Sequence, residues 1–230
     1  MKILLIGTDT LHRRYIINSL IDQGINFDTC IFQKKSCSPK FDVKPKWSRV
    51  EKLELTKKFK SKTRMDLKRV KKIIEINKLQ SKDFKFKKEI LEANFVIVSG
   101  ADWIKGYLLK IIKHKSLNIH MGIAEKYRGL DSNLWAWYHK DFRNIGVTLH
   151  KLDNDLDSGL IFRSQRLKLN KNQKVWLLRY LESELAIKLL KQAINNIRNS
   201  KLKFRKQKFD GRYYSFMPSV IKNSLKQQRS

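Results

Sequence analysis

The chain has 230 residues, of which 41% are hydrophobic and 10% aromatic. This is enough for one sizeable core and too apolar for a disordered chain. The net charge of +30 admits a nucleic-acid partner, and no apolar run approaches the roughly 20 residues of a membrane span.

The opening apolar run, Lys2–Ile6, is stopped by Gly7-Thr8-Asp9-Thr10 well short of a signal-peptide core, so a cytoplasmic protein is expected. Residues 2–6 read as a short buried strand. A helix follows from about Leu11 to Asp22, with Tyr15, Ile16, Leu20 and Ile21 on its apolar side and Thr10 as N-cap. Gly24 ends it, and Ile25–Phe32 reads as a second strand, which makes a βαβ unit and predicts a parallel sheet. Cys30 and Cys37 have no second pair to complete a zinc site and read as reduced thiols rather than a disulfide.

Residues 34–62 are lysine-rich and carry Pro39 and Pro45, which predicts a long basic loop. Helical periodicity resumes over Met65–Ile76 and Phe86–Ala93; Phe95–Val98 is the next buried strand, ending at Ser99-Gly100. Leu108–Ile112 reads as a short helix, Leu117–His120 as a strand and Asn133–Tyr138 as a Trp-bearing helix. Val147–Leu152 alternates like a half-exposed strand, and Leu160–Leu169 likewise. Val175–Ile197 is a long amphipathic helix with Leu178, Leu181, Leu185 and Leu189 on its stripe. Residues 201–230 are basic, with aromatics at Tyr213, Tyr214 and Phe216. The expected fold is α/β: a Rossmann-like, mostly parallel sheet flanked by helices. It comprises one domain over 1–200, with a basic insertion over 34–90 within it, and a short basic C-terminal extension over 201–230.

The positive charge is uneven. Residues 44–91 carry 18 basic against 6 acidic side chains, whereas 92–162 carry 9 against 8. Lysine dominates and few aromatics interleave with the middle run, which favours a solvated surface over a reader of nucleic acid built on Arg forks and stacking platforms. A non-catalytic RNA-binding protein remains one reading of this charge.

Asn118 and His120 lie two apart at the C-terminal end of a strand, so they share a face at the edge where open α/β sheets bind ligands. An amide N–H beside an imidazole suits a reaction that builds negative charge on a carbonyl oxygen. Asp157, within Leu156-Asp157-Ser158-Gly159, is placed to orient and charge an imidazole, although Asp-Ser-Gly is also a common turn. The turn at Thr8 could take a phosphate on its backbone N–H groups, or be turn geometry alone; Asp9 argues against an anion there. Arg13 and Arg14 read as exposed helix arginines, with a diphosphate contact as the alternative, and His12, His114, His139 and His150 receive no role.

Taken in order, Asn118-Ile-His120, Lys126-Tyr-Arg-Gly-Leu130, Gly146-Val-Thr-Leu-His150 and Leu156-Asp-Ser-Gly159 resemble the folate-dependent formyltransferase family, firmly from about Phe95 to Phe162 and more loosely over 1–33. The resemblance implies that Asn118, His120 and Asp157 are the catalytic trio and that N10-formyltetrahydrofolate is the co-substrate. It also implies a folate cleft lined by Gly100, Trp103, Ile104 and Lys105 on one side and Leu152, Asp153 and Asp155 on the other. Trp103 and Ile104 read equally well as core. Thr8, Met121 and Arg128 are the expected substrate contacts. The loop after the histidine departs from the family: Met121-Gly-Ile-Ala-Glu125 stands where many members have Pro-Ser-Leu-Leu-Pro.

The expected activity is formyl transfer to a primary amine on a small phosphate-bearing molecule, foremost a nucleotide-linked amino sugar for polysaccharide biosynthesis. Methionyl-tRNA is the runner-up, followed by glycinamide ribonucleotide and formyl-folate hydrolysis. The oligomeric state, a homodimer included, is left open.

Overall fold

A computed structural model describes residues 1–34, 38–60, 66–77, 79 and 86–227. In chain order its main elements begin with β1 (Ile3–Thr8), α1 (Leu11–Asp22), β2 (Thr29–Gln33), α2 (Arg49–Lys60), β3 (Lys72–Ile76), α3 (Lys87–Glu92), β4 (Phe95–Ser99) and α4 (Gly106–Ile112). They continue with β5 (Ser116–His120), β6 (Tyr127–Gly129), α5 (Ser132–Tyr138), β7 (Gly146–His150), β8 (Ile161–Arg166), α6 (Leu178–Arg198), β9 (Arg212–Tyr214) and α7 (Ser219–Ser224).

The seven-stranded sheet runs β3-β2-β1-β4-β5-β7-β8. The first five strands are parallel, and β7 and β8 each pair antiparallel with the neighbour before them. This is the expected Rossmann-like α/β fold. β1 shows why its sequence is a continuous apolar run: Ile3 and Leu5 pack with α1 and α6 on one face, and Leu4 and Ile6 pack with α3 and α4 on the other. A strand covered by helices on both faces has no polar side to present. Strand order reverses between β1 and β4, whose C-terminal ends open the crevice where such sheets take ligands. Cys30 on β2 is wholly buried, and burial pushes its thiol up to about 12; Cys37 lies outside the described residues.

Three expectations are corrected. The basic stretch 34–62 is not all loop, because Arg49–Lys60 is a helix. It starts with a reciprocal cap, Ser48 N–H to Glu51 Oε2 at 2.6 Å and Glu51 N–H to Ser48 Oγ at 3.2 Å, a pattern that satisfies two otherwise orphaned donors. Its Phe59 is buried edge-on between Tyr15 and Tyr180, with centroids 5.3 and 5.6 Å away. Second, the helical periodicity read over Met65–Ile76 ends in a strand: Lys72–Ile76 pairs in parallel with β2, and tertiary pairing of Ile73 and Ile74 overrides the local pattern. Met65 lies outside the described residues. Third, β7 is buried along its whole length rather than half-exposed, because its polar positions Thr148 and His150 point at other polar groups, not water.

The segment after α6 returns to the fold. β9 pairs in parallel with β6, and Gly129 sits at φ 86°, where an added Cβ would lie 2.2 Å from the Tyr214 carbonyl oxygen. Among the described residues no helix is long and apolar enough to cross a membrane.

Phe59 makes the packing of α2 testable. Replacing it with alanine leaves a cavity between two tyrosine rings and is expected to cost about 3–5 kcal/mol. The readout is urea unfolding, with a lower midpoint and an unchanged slope; a cost below ~1 kcal/mol would mean that α2 does not dock on the core.

Candidate active site

The cleft at the β1/β4 crevice has a volume of about 550 Å³. Its floor is the C-terminal end of β5, and its walls come from the loops after β1 and β4, the loop Leu152–Asp157, the first turn of α6 and the aromatic end of the chain at Tyr213 and Phe216.

Asp157 is the centre of the polar network, and its side chain is only 9% exposed. Oδ1 lies 3.2 Å from Asn118 Nδ2 and 3.2 Å from His150 Nε2. Oδ2 accepts the Gly129 N–H at 2.8 Å and lies 3.2 Å from His120 Nδ1. Burial alone would raise this carboxyl, but the charge and hydrogen bond of His120 and the contact with His150 outweigh it and hold the group well below the usual carboxylate range. The residue has φ 53°, a left-handed conformation that costs a non-glycine about 1 kcal/mol and that aspartate tolerates better than most.

His120 is buried, and both ring nitrogens are engaged: Nε2 lies 2.7 Å from the Tyr127 carbonyl and Nδ1 faces Asp157. A carbonyl and a carboxylate can only accept, so both nitrogens carry hydrogen and the ring is imidazolium. Burial opposes that charge, but the Asp157 charge and hydrogen bond and the Tyr127 carbonyl prevail, and the pKa is raised above the usual histidine value. His150 differs. Its Nδ1 donates to the Lys151 carbonyl at 2.7 Å, which leaves Nε2 facing both Asn118 Nδ2 at 3.1 Å and Asp157 Oδ1 at 3.2 Å. Neutral, it accepts from Asn118; protonated, it donates to Asp157. One atom therefore has two hydrogen-bonding states available without movement of the ring.

A second charged group stands at the opposite wall. Arg13 Nε donates to Ser99 Oγ at 3.2 Å, and Nη1 to the Thr8 carbonyl at 3.1 Å, to Thr10 Oγ1 at 3.1 Å and to Thr8 Oγ1. All are neutral oxygens, because Asp9 is taken by Arg14 at 2.7 and 2.5 Å. Burial, followed by the repulsion of Arg179, brings the Arg13 guanidinium down to about 9. Gly100, at φ 56°, leaves room for it: a Cβ there would lie 1.6 Å from Arg13 Nη2. Burial also lowers His12 well below the usual histidine value, with Arg13 and Arg179 adding to the effect.

The residues singled out in the sequence are distributed as follows. Asn118, His120 and Asp157 meet, and Thr8, Gly100, Trp103, Ile104, Met121, Leu152, Asp153 and Asp155 line the same cleft. Trp103 is 41% exposed and donates to the Asn154 carbonyl at 3.1 Å, bridging the two loops, whereas Ile104 is buried in the core beneath. Two are not in the lining. Lys105 Nζ sits 3.3 Å from the Trp103 ring centroid. Arg128 is turned toward the C-terminal segment, where Nη2 donates to Gln207 at 2.9 Å and Asp210 at 3.0 Å. Arg13, read as an exposed helix arginine, lies in the cleft, while Arg14 does pair at the surface.

Sequence reasoning missed His150 and Glu182. The signal for His150 was strand register: it is the cross-strand partner of Asn118, and with Thr148 it falls on the Asn118/His120 face. Glu182 had no such signal. It is buried on α6, bonded to Asn133 at 2.9 Å and Arg179 at 2.9 Å, with burial raising its carboxyl.

A family model described as formyl transferase matches residues 14–187. The chain is 28% identical over 116 residues to a methionyl-tRNA formyltransferase of Caldicellulosiruptor saccharolyticus, covering 50% of this chain and 37% of that one. It is 26% identical over 91 residues to a GDP-perosamine N-formyltransferase of Brucella melitensis, covering 40% and 35%. These matches span about a third of the curated relatives' own length. Among solved structures, a 4-N formyltransferase from Francisella tularensis superposes with a TM-score of 0.62 at 16% identity, covering 96% of this chain and 86% of that one. PseJ from Anoxybacillus kamchatkensis, solved with UDP-4,6-dideoxy-4-formamido-L-AltNAc and tetrahydrofolate, has a TM-score of 0.56 at 19% identity and covers 94% and 86%.

The network makes stability depend on pH in a defined window. The depressed Asp157 contributes above the unfolded carboxylate value near ~3.9 and loses its contribution as pH falls through its lower folded value; the raised His120 contributes below ~6.5 and loses its contribution as pH rises through its higher folded value. The stability gap between the unmodified protein and Asp157→Asn is therefore expected to be widest between about pH 4 and 6.5 and to narrow on both sides. Denaturation midpoints from pH 3 to 9 check this, and a gap that stays constant with pH would exclude the charged pair.

Proposed function

The chain belongs to the formyl transferase family, and from that premise we propose that it moves a formyl group from N10-formyltetrahydrofolate to the primary amine of a nucleotide-linked amino sugar. The amine nitrogen attacks the formyl carbon, the carbonyl electrons move onto oxygen, and collapse of that tetrahedral centre breaks the bond to folate N10, which takes up the proton that the amine has given up by way of His150. Asn118 stabilises the oxyanion by giving up the hydrogen bond it makes to His150 Nε2, so that its freed N–H turns to the developing charge. His150 Nε2, relieved of that donor, can receive a proton from the attacking amine. The His120 imidazolium supplies positive charge beside the centre and is kept protonated by Asp157. Folate lies against Trp103 and the loop Leu152–Asp155, whose backbone atoms meet its polar edge.

The observation that carries the phosphate-bearing acceptor is Arg13, a cation within the cleft whose hydrogen bonds go to the neutral oxygens of Thr8, Thr10 and Ser99. A buried guanidinium whose hydrogen-bond partners are neutral oxygens favours an anion such as a phosphate nearby. Methionyl-tRNA is the second reading, favoured by relatives of that name.

The deciding experiment incubates the protein with N10-formyltetrahydrofolate and a panel of amines: dTDP-, UDP- and GDP-linked amino sugars, glycinamide ribonucleotide, and initiator and elongator methionyl-tRNA. Tetrahydrofolate release is followed at physiological salt. Turnover with a nucleotide amino sugar is expected; selective formylation of initiator methionyl-tRNA would replace it with the second reading, and failure to bind folate would remove the enzyme altogether.

Two variants test the roles. Asn118→Ala should fold and lose about 10²–10³ in turnover, the usual loss when one oxyanion donor is removed. Arg13→Met should raise KM for the nucleotide amino sugar by about tenfold or more, with folate affinity unchanged. An unchanged KM would return Arg13 to a purely structural part.

A further inference from the structure

Asp157 is held at its backbone as well as its carboxylate. The Gln207 side chain, from the segment after α6, donates from Nε2 to the Asp157 carbonyl at 2.7 Å and to the Gly159 carbonyl at 3.0 Å. Its Oε1 accepts from Arg128 Nη2 at 2.9 Å. The amide orientation is unambiguous, because a guanidinium only donates and a peptide carbonyl only accepts. Both hydrogens of Nε2 are thus spent on the two carbonyls that bracket the Asp-Ser-Gly turn. The neighbouring residue on β6 completes a circuit: Gly129 N–H holds Asp157 Oδ2, while Arg128 beside it holds Gln207, which holds the Asp157 main chain. Asp157 sits in the left-handed region at φ 53°, a conformation that persists only where its surroundings over-determine it.

We propose that Gln207 is a positioning residue, which fixes the Asp157–Ser158 peptide and thereby aims the Asp157 carboxylate at His120. It touches no reacting atom. The geometry stands independently of the formyl-transfer reading, on which only the consequence for turnover rests. Without the amide the turn can rotate its carbonyls toward water and the carboxylate drifts from the imidazole. A displacement of that kind costs a catalytic group up to ~10² in rate.

The test reads the carboxylate through its partner. The full chain, labelled with ¹⁵N-histidine, is titrated by NMR, with the His120 resonance assigned by its absence in His120→Gln. Four variants follow: Gln207→Ala, Gln207→Met (which keeps the length and loses the donors), Asp157→Asn, and Asp157→Asn combined with Gln207→Met. The other groups near the His120 ring, His150 and Glu182, are unaltered throughout. Each Gln207 variant should fold and lower the proton affinity of His120 by roughly threefold to tenfold, within the larger fall caused by Asp157→Asn. The combined variant should match Asp157→Asn alone, because the amide acts only through that carboxylate.

Unchanged His120 titration in folded Gln207 variants would overturn the proposal. So would a combined variant that falls further by the full Gln207 factor, or loss of the fold in both Gln207 variants, which would make the residue a structural tie. Formyl transfer assayed on the same samples with a nucleotide amino sugar separates the two readings: absence of turnover in the unmodified protein counts against the proposed function and leaves the His120 result intact.

Discussion

A carboxylate removed from water must be surrounded by donors or it takes up a proton, and the local architecture around Asp157 is organised by that requirement. Its two oxygens face four groups from three separate parts of the chain: Asn118 and His120 on β5, His150 on β7, and the Gly129 backbone on β6. No short stretch of sequence can bring these together. β5 and β7 must pair antiparallel in the register that sets Asn118 opposite His150, and the Asp-Ser-Gly turn must bend through a left-handed residue to reach them. The glycine at 129 belongs to the same constraint, since β9 lies too close for any side chain there. Burial of this one charge therefore accounts for the polar positions on an otherwise buried strand.

The parts of the fold that were legible in the sequence are those with local, repeated signals. The apolar runs at Ile3–Thr8 and Phe95–Ser99 and the long stripe of α6 are cases where burial on fixed faces dictates composition. The Asn118/His120 pair was legible because two residues two apart on a strand must share a face. The strand Lys72–Ile76 was not, because a five-residue edge strand contains no periodicity that separates it from a helical turn, and pairing with β2 decides its state. The helix Arg49–Lys60 was hidden for a different reason: it is rich in lysine and buries only Phe59 among its described residues, so its apolar periodicity is weak, and only the Ser48–Glu51 spacing announces its start. His150 and Gln207 depend on register and on a return of the chain across roughly fifty residues, which composition does not encode.

The large positive charge is spread differently from the chemistry. Some of the lysines outside the site meet acids at the surface, as in Lys2–Glu92, Lys71–Asp28 and Lys72–Glu89, and pairs of this exposure contribute little to stability. The segment that builds the polar network around Asp157 is nearly balanced, with 9 basic against 8 acidic residues over 92–162. Within the cleft, individual charges are therefore set by burial and by specific partners. The surface excess acts at longer range, where it raises the local concentration of anions and is screened within about 8 Å at physiological ionic strength.

The parallel pairing of β6 with β9 has a consequence for how the protein comes into being. Tyr127–Gly129 is made long before Arg212–Tyr214, so during synthesis the strand waits with its edge open while some eighty further residues are added. Closing a loop of that length is entropically costly and is compensated only when the late segment docks, so the two-stranded ribbon is expected to form after the main sheet has consolidated. Tyr213 and Phe216 line the cleft, and Gln207 ties the turn that carries Asp157. A nascent chain that has built its sheet is thus still without a finished pocket, which waits for the residues from Gln207 to Phe216 to be made and docked.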